Sequence, residues 1–167
     1  MALIRNGQLV DDPFVLVAAE SEIPAAGSVL VYLDRWQVAR DELIDRGAPL
    51  GVRLRSDQSP ELIADDLGLL ALVALEFPVF RDGRAYSYAR ILRERYGYAG
   101  ELRAVGEVLM EQLHFMLRTG FDSFELDSSD PLAEYQAAAA DFSVWYQPTG
   151  DGRRTAVQLR HPGKSSG

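Results

Sequence analysis

Arginines crowd one short stretch of this chain. The run Glu76-Phe77-Pro78-Val79-Phe80-Arg81-Asp82-Gly83-Arg84 sets Arg81 and Arg84 on either side of an Asp-Gly turn. Beyond it Tyr86, Arg90, Arg93 and Gly97 follow at spacings of four, three and four, which place them along one face of a helix. Ala85, Ala89, Leu92 and Tyr96 mark the neighbouring face, the one that packs on a sheet. Planar guanidinium forks suit carboxylate, phosphate and sulfur oxyanions. Arg84, Arg90 and Arg93 could therefore converge on an anion beside the loop. The competing reading is solvated arginines pairing with Asp82 and Glu94, and such pairs contribute only about 0–1 kcal/mol. The candidate ligand- or partner-binding residues are Arg81, Asp82, Gly83, Arg84, Tyr86, Arg90 and Arg93, with Gly106 at the end of a following strand.

Other chemistries find less support. Glu111 and His114 stand three apart on a helical stripe with Glu107 and Arg118, but no second Glu/His pair accompanies them. His161 is the only other histidine and lies in the tail, so neither a metal site nor a catalytic triad is expected. The carboxylate pairs Asp11-Asp12 and Asp65-Asp66 are adjacent in sequence, face apart and read as solvated. With no cysteine, the chain supplies no disulfide, thiol nucleophile or iron–sulfur ligand. No glycine-rich phosphate loop follows any strand, which argues against a dinucleotide dehydrogenase and leaves open a flavin held by other loops.

The 167 residues carry 25 acids and 17 bases, and sixteen of those bases are arginine. A genome rich in G and C produces that bias without selection for an anion site. Residues 1–80 hold 13 acids and 6 bases and residues 121–167 hold 7 acids and 4 bases, while residues 81–120 hold 5 acids and 7 bases. The arginine loop thus belongs to the only positive segment. General nucleic-acid binding is not expected of such a chain. The apolar runs near 14–19 and 67–75 are too short to cross a bilayer, and residues 1–10 lack signal-peptide character. A cytoplasmic protein with no membrane contact is expected.

The elements that must position these residues follow a βα rhythm. Strands are predicted over 29–33, 50–54, 69–75, 101–105 and 122–126. Between them, Asp34 caps a helix that stops at Gly47, and Ser59-Pro60-Glu61 opens another. Further helices run about 85–96 and 107–119, the latter ending at Gly120, and one begins near Pro131. About five strands joined by helices imply right-handed parallel crossovers. The fold class is α/β, either an open flavodoxin-like or Rossmann-like sheet or a half TIM-barrel. Ligands then gather where strands end: at Asp34, Arg35 and Trp36, at Arg55, Ser56 and Asp57, at Gly106 and Glu107, and at Asp127 and Ser128. Asn6-Gly7 marks an N-terminal hairpin within residues 1–27, and residues 142–146 and 155–159 suggest a second hairpin. Residues 1–160 form one domain, and 161–167 read as a disordered tail.

The run from Phe77 to Arg93, then 100–106 and 120–126, resembles an uncharacterised proteobacterial family, with the likeness extending over about 28–147. Members of that family carry a domain of unknown function and are often labelled probable oxidoreductases. Their genes commonly neighbour assimilatory sulfite reductase. The resemblance implies a role in sulfite reduction or cysteine biosynthesis, assigns no catalytic residue or cofactor, and is densest at Asp82, Gly83, Arg84, Arg90, Arg93 and Gly106. Sulfite reduction needs an iron–sulfur cluster that a cysteine-free chain cannot ligate. The leading expectation is therefore an accessory protein that binds a small oxyanion or an acidic partner through the arginine loop and helix. The alternatives are a small oxidoreductase with a borrowed flavin or nicotinamide, and an assembly module that docks on sulfite reductase.

Overall fold

A computed structural model describes residues 1–140. The second expected hairpin and the tail lie outside the described residues. Eight strands form one mixed sheet in the order β2-β1-β8-β7-β6-β5-β4-β3. They are β1 (Ala2–Arg5), β2 (Gln8–Val10), β3 (Phe14–Val17), β4 (Ser28–Tyr32), β5 (Leu50–Leu54), β6 (Leu72–Phe77), β7 (Glu101–Gly106) and β8 (Ser123–Leu126). Strands β3 to β8 run parallel in sequence order, whereas β1 lies antiparallel to both β8 and β2. The expectation of about five strands thus falls short by three. Asn6 and Gly7, both at positive φ, form the predicted hairpin turn, but the hairpin joins the main sheet. Such long-range pairing leaves no local signal.

The helices are α1 (Leu33–Asp45), α2 (Arg84–Arg90), α3 (Leu113–Thr119) and α4 (Pro131–Ala140). Several boundaries differ from the sequence reading. Helix α1 begins at Leu33, two residues early, so Asp34 sits in its first turn and does not cap it. Ser59 does cap, accepting a hydrogen bond from the Glu61 N–H, but the segment Pro60–Leu69 winds as 3-10 turns, and β6 starts only at Leu72. Beyond α2 the chain widens into a π-type turn over Ile91–Arg95, in which the Tyr96 N–H reaches the Ile91 carbonyl. The expected helix over 107–119 is a short 3-10 turn at Met110–Gln112 followed by α3, which stops as predicted at Gly120 with φ 109°. In these segments tertiary contacts override a periodicity that reads as regular helix.

One face of the sheet carries the helices. Val31, Val52, Leu54, Val73, Leu75, Leu102, Ala104 and Phe124 pack there in a single core with Trp36, Leu43, Ile63, Leu92, Leu113 and Met116. Burial of this apolar surface is the main stabilising contribution. The opposite face holds a smaller cluster of Leu30, Leu72, Ala74 and Val105, with Phe14 against it. Sequential parallel strands with helices on one side make a curled half-barrel, the second of the two predicted architectures.

The curl is pronounced. Edge strands β2 and β3 are joined by Asp11, Asp12 and Pro13 alone, a link that spans at most ~14 Å. A flat eight-stranded sheet would hold its edges roughly 34 Å apart. Arg103 on β7 confirms the closure: its guanidinium lies 5.8 Å from the Phe14 ring, although three strands separate β7 from β3 in the sheet order. Fully buried, Arg103 pairs with Asp12 at 2.7 Å, Glu101 at 2.9 Å and Glu125 at 3.5 Å.

On the helix side, Asp66 accepts hydrogen bonds from the buried Trp36 indole at 2.9 Å and from Arg40 at 3.0 Å. Burial opposes its ionisation, yet the bonds from Arg40 and Trp36 prevail and hold its carboxyl below the ordinary value. Asp66→Ala strands the Trp36 N–H and should lower stability by about 1–3 kcal/mol in urea denaturation. Because the folded pKa is depressed, Asp66 stabilises above its unfolded value near 4 and loses that effect as pH falls through the folded one. The gap between parent and variant should therefore narrow in acid.

Candidate functional site

Parallel strands gather their following segments at the carboxyl mouth of the half-barrel, and two polar clusters form there. The first surrounds Tyr32, whose ring lies 4.6 Å from the Arg55 guanidinium and 5.3 Å from that of Arg53. Arg53 Nε donates to Glu76 at 3.0 Å, and Arg55 Nη1 donates to Asp34 at 2.9 Å. Gln58 joins them: its amide donates to Asp34 at 3.2 Å, and its carbonyl accepts the Arg55 backbone N–H at 2.8 Å. The strand alternation explains the grouping. Tyr32, Arg53 and Ala74 share one cross-strand row, on the face away from the helices, with Glu76 two residues along β6.

The second cluster holds the predicted loop. Arg84 grips Asp82 with Nε at 3.0 Å and Nη2 at 2.7 Å, and its Nη2 also reaches the Ser56 hydroxyl at 2.9 Å. That side-chain bond from Arg84, overcoming desolvation, holds the Asp82 carboxyl well below the usual carboxylate range. The Tyr88 hydroxyl donates to the Ser56 carbonyl at 2.9 Å and ties α2 to the end of β5. Gly83 precedes α2 with an ordinary φ of −90°. Tyr86 packs edge-on against Phe77 at 5.1 Å, and burial pushes its phenol up to about 12, so it stays protonated at neutral pH.

Arg84, Arg90 and Arg93 do not converge. Arg93 lies nine residues beyond Arg84, about 14 Å along a helical path, and serves the opposite end of the sheet. It donates to the carbonyls of Gly120 (2.9 Å), Tyr98 (2.7 Å) and Gly100 (2.8 Å) and to Asp122 (3.1 Å). Arg81 and Arg90 are exposed. Gly106 ends β7 at φ 90°, where a Cβ would stand 2.5 Å from the Phe77 carbonyl oxygen, so the close approach of β6 and β7 requires glycine. The predicted residues therefore divide into an internal ion pair, an internal tether, a backbone constraint at Gly106, a tyrosine packed on Phe77, an unstrained glycine and two open arginines.

Arg81 has apolar company. Val79, Phe80 and Met110 are 56%, 53% and 48% exposed. The Gln112 amide donates to the Phe80 carbonyl at 3.3 Å and holds the Met110 turn beside the loop. Among the described residues no three His, Asp or Glu side chains are grouped as a metal ion would need.

Tyr32, Arg53, Glu76, Asp12 and Arg103 were not among the sequence candidates. For Arg53, Glu76 and Arg103 the signal was a charge interrupting an apolar strand, as in Val52-Arg53-Leu54, Leu75-Glu76-Phe77 and Leu102-Arg103-Ala104. In a sheet such charges share one face and must find partners there.

Fold and mouth together define a single-wound α/β half-barrel with a polar carboxyl end and an exposed apolar loop beside it. The chain belongs to the family described as a bacterial protein of unknown function (DUF934), whose model matches residues 51–157. That stretch includes the loop, α2, β6, β7 and β8. No curated protein matches the chain. No helix among the described residues is long and apolar enough to cross a membrane.

Proposed function

We propose that this protein is an accessory factor that docks an acidic surface of a partner protein through the loop Pro78–Arg84 and the adjoining Met110 turn. One observation carries the reading: Val79, Phe80 and Met110 stand half exposed beside Arg81, where the positive segment of the chain begins. Aromatic residues, methionine and arginine are enriched at protein interfaces, and grouped exposed apolar side chains mark interaction sites. Arg90 on the following helix adds a second open cation. The small-oxyanion alternative at this place is less favoured, because Arg84 and Arg93 already direct their forks at partners within the fold. Taken with the family resemblance, the partner is sulfite reductase, and the role is assistance to sulfite reduction or cysteine biosynthesis.

Tagged protein isolated from cells grown on sulfate tests the proposal. Parent protein should retain the reductase at low salt and release it as salt screens the charges. Phe80→Ala with Arg81→Glu should recover at least tenfold less, since a central aromatic anchor and a rim charge are both removed. Equal recovery with parent and variant, or no reductase with either, would sink the proposal.

A further inference from the structure

We propose that Arg55 and Gln58 form an oxyanion cradle at the carboxyl mouth, one that the protein's own Asp34 carboxylate occupies and that a small free oxyanion takes in its place. Two donors converge on Asp34, and each is oriented by something other than Asp34. The Arg55 guanidinium is set by stacking on Tyr32 at 4.6 Å. The Gln58 amide is set by its carbonyl, which accepts the Arg55 backbone N–H at 2.8 Å and so turns the NH2 group outward. A cradle whose donors are fixed before the acceptor arrives loses little side-chain entropy on binding.

The resident carboxylate is poorly held by comparison. Asp34 and Arg55 are 66% and 45% exposed along their side chains, and exposed pairs of this kind are worth little. Asp34 is attached to α1, not to β5, so a rotamer change alone vacates the position. Asp34 also lines a surface depression of about 630 Å³ along α1 with Ala19, Arg35 and Val38, which gives its displaced side chain space to turn into. The neighbouring arginines are otherwise engaged, Arg53 with Glu76 and Arg84 with Asp82. Displacement of Asp34 thus leaves Arg55 as the guanidinium free to receive an anion. The position fits the general placement of ligands at the carboxyl ends of parallel strands. It is independent of the docking loop, because Phe80 and Arg81 take no part in it.

Inorganic phosphate, titrated at constant ionic strength while the Gln58 side-chain amide resonances are followed by NMR, tests the cradle. Asp34→Ala should bind phosphate roughly fivefold more tightly than the parent, because the internal competitor is gone. Alanine favours helix, so α1 is retained. Adding Arg55→Gln to that variant should abolish the saturable shift. Asp45→Asn, which removes one negative charge from the far end of α1, should bind like the parent. The cradle is wrong if Asp34→Ala gains nothing, if Asp45→Asn gains as much, or if the double variant still saturates.

Discussion

Replacing Arg103 with methionine should destabilise the fold by about 3 kcal/mol, because it leaves the partly buried carboxylates of Asp12, Glu101 and Glu125 facing one another without their shared cation. Arg103 is fully buried and has two bonds to Asp12, at 2.7 and 3.1 Å, and two to Glu101, at 3.0 and 2.9 Å. Burial alone would disfavour its charge, but the bonds it donates to Asp12 and Glu101 and their negative charges outweigh that and raise its pKa above the ordinary value. The guanidinium is thus charged under all working conditions, and the deficit should appear at every neutral pH. Arg103→Lys should recover only part, since an ammonium cannot present two parallel forks. A second effect is local. Arg103 anchors the Asp11–Pro13 strap, so amide exchange across β3 should accelerate more than exchange in β6. Urea denaturation and hydrogen exchange measure the two. A midpoint within error of the parent would show that the buried cluster contributes nothing net.

Arg93→Ala should cost about 3 kcal/mol, although Arg93 ranked among the binding candidates. The substitution strands the carbonyls of Tyr98, Gly100 and Gly120 and removes the cationic partner of Asp122. Arg93→Lys should rescue little, because one ammonium cannot reach carbonyls spread over the connections before β7 and before β8. The pH dependence gives a further signature. Burial raises the Asp122 carboxyl, while the Leu102 N–H and Arg93 act against that rise. Without Arg93 the folded pKa climbs further. A raised acid is most compatible with folding when protonated, so its contribution is fullest below the unfolded value near 4 and is lost as pH rises through the folded one. The variant's deficit should therefore shrink as the solution is acidified. A deficit that is flat with pH, or a variant as stable as the parent, would return Arg93 to the surface reading.

The elements were largely legible from neighbouring residues. Asn6-Gly7 turned the hairpin, Ser59-Pro60 opened its helical segment, Gly120 closed α3 and Pro131 began α4. Each of these depends on backbone sterics or a hydrogen bond within a few positions. Strand β3 escaped because Phe14–Val17 is a short edge strand with Val15 and Leu16 exposed, and its burial pattern does not resemble that of a core strand. The Arg81–Arg93 stretch was found by counting charge, but counting could not distinguish a fork already bonded to Asp82 or Gly120 from one open to a ligand.

From the chain's own order came an α/β alternation, the positive segment and the loop after β6, all of which are local in origin. Tertiary structure alone decided that the sheet curls, that the helices of the described residues lie on one side, and that Arg103 meets Asp12 across 91 positions. It also set Asp34 between Arg55 and Gln58, more than twenty residues away. The physical reason is that a three-residue strap between the edge strands bends the sheet on itself. That bend turns charges scattered along four strands toward a single interior and mouth.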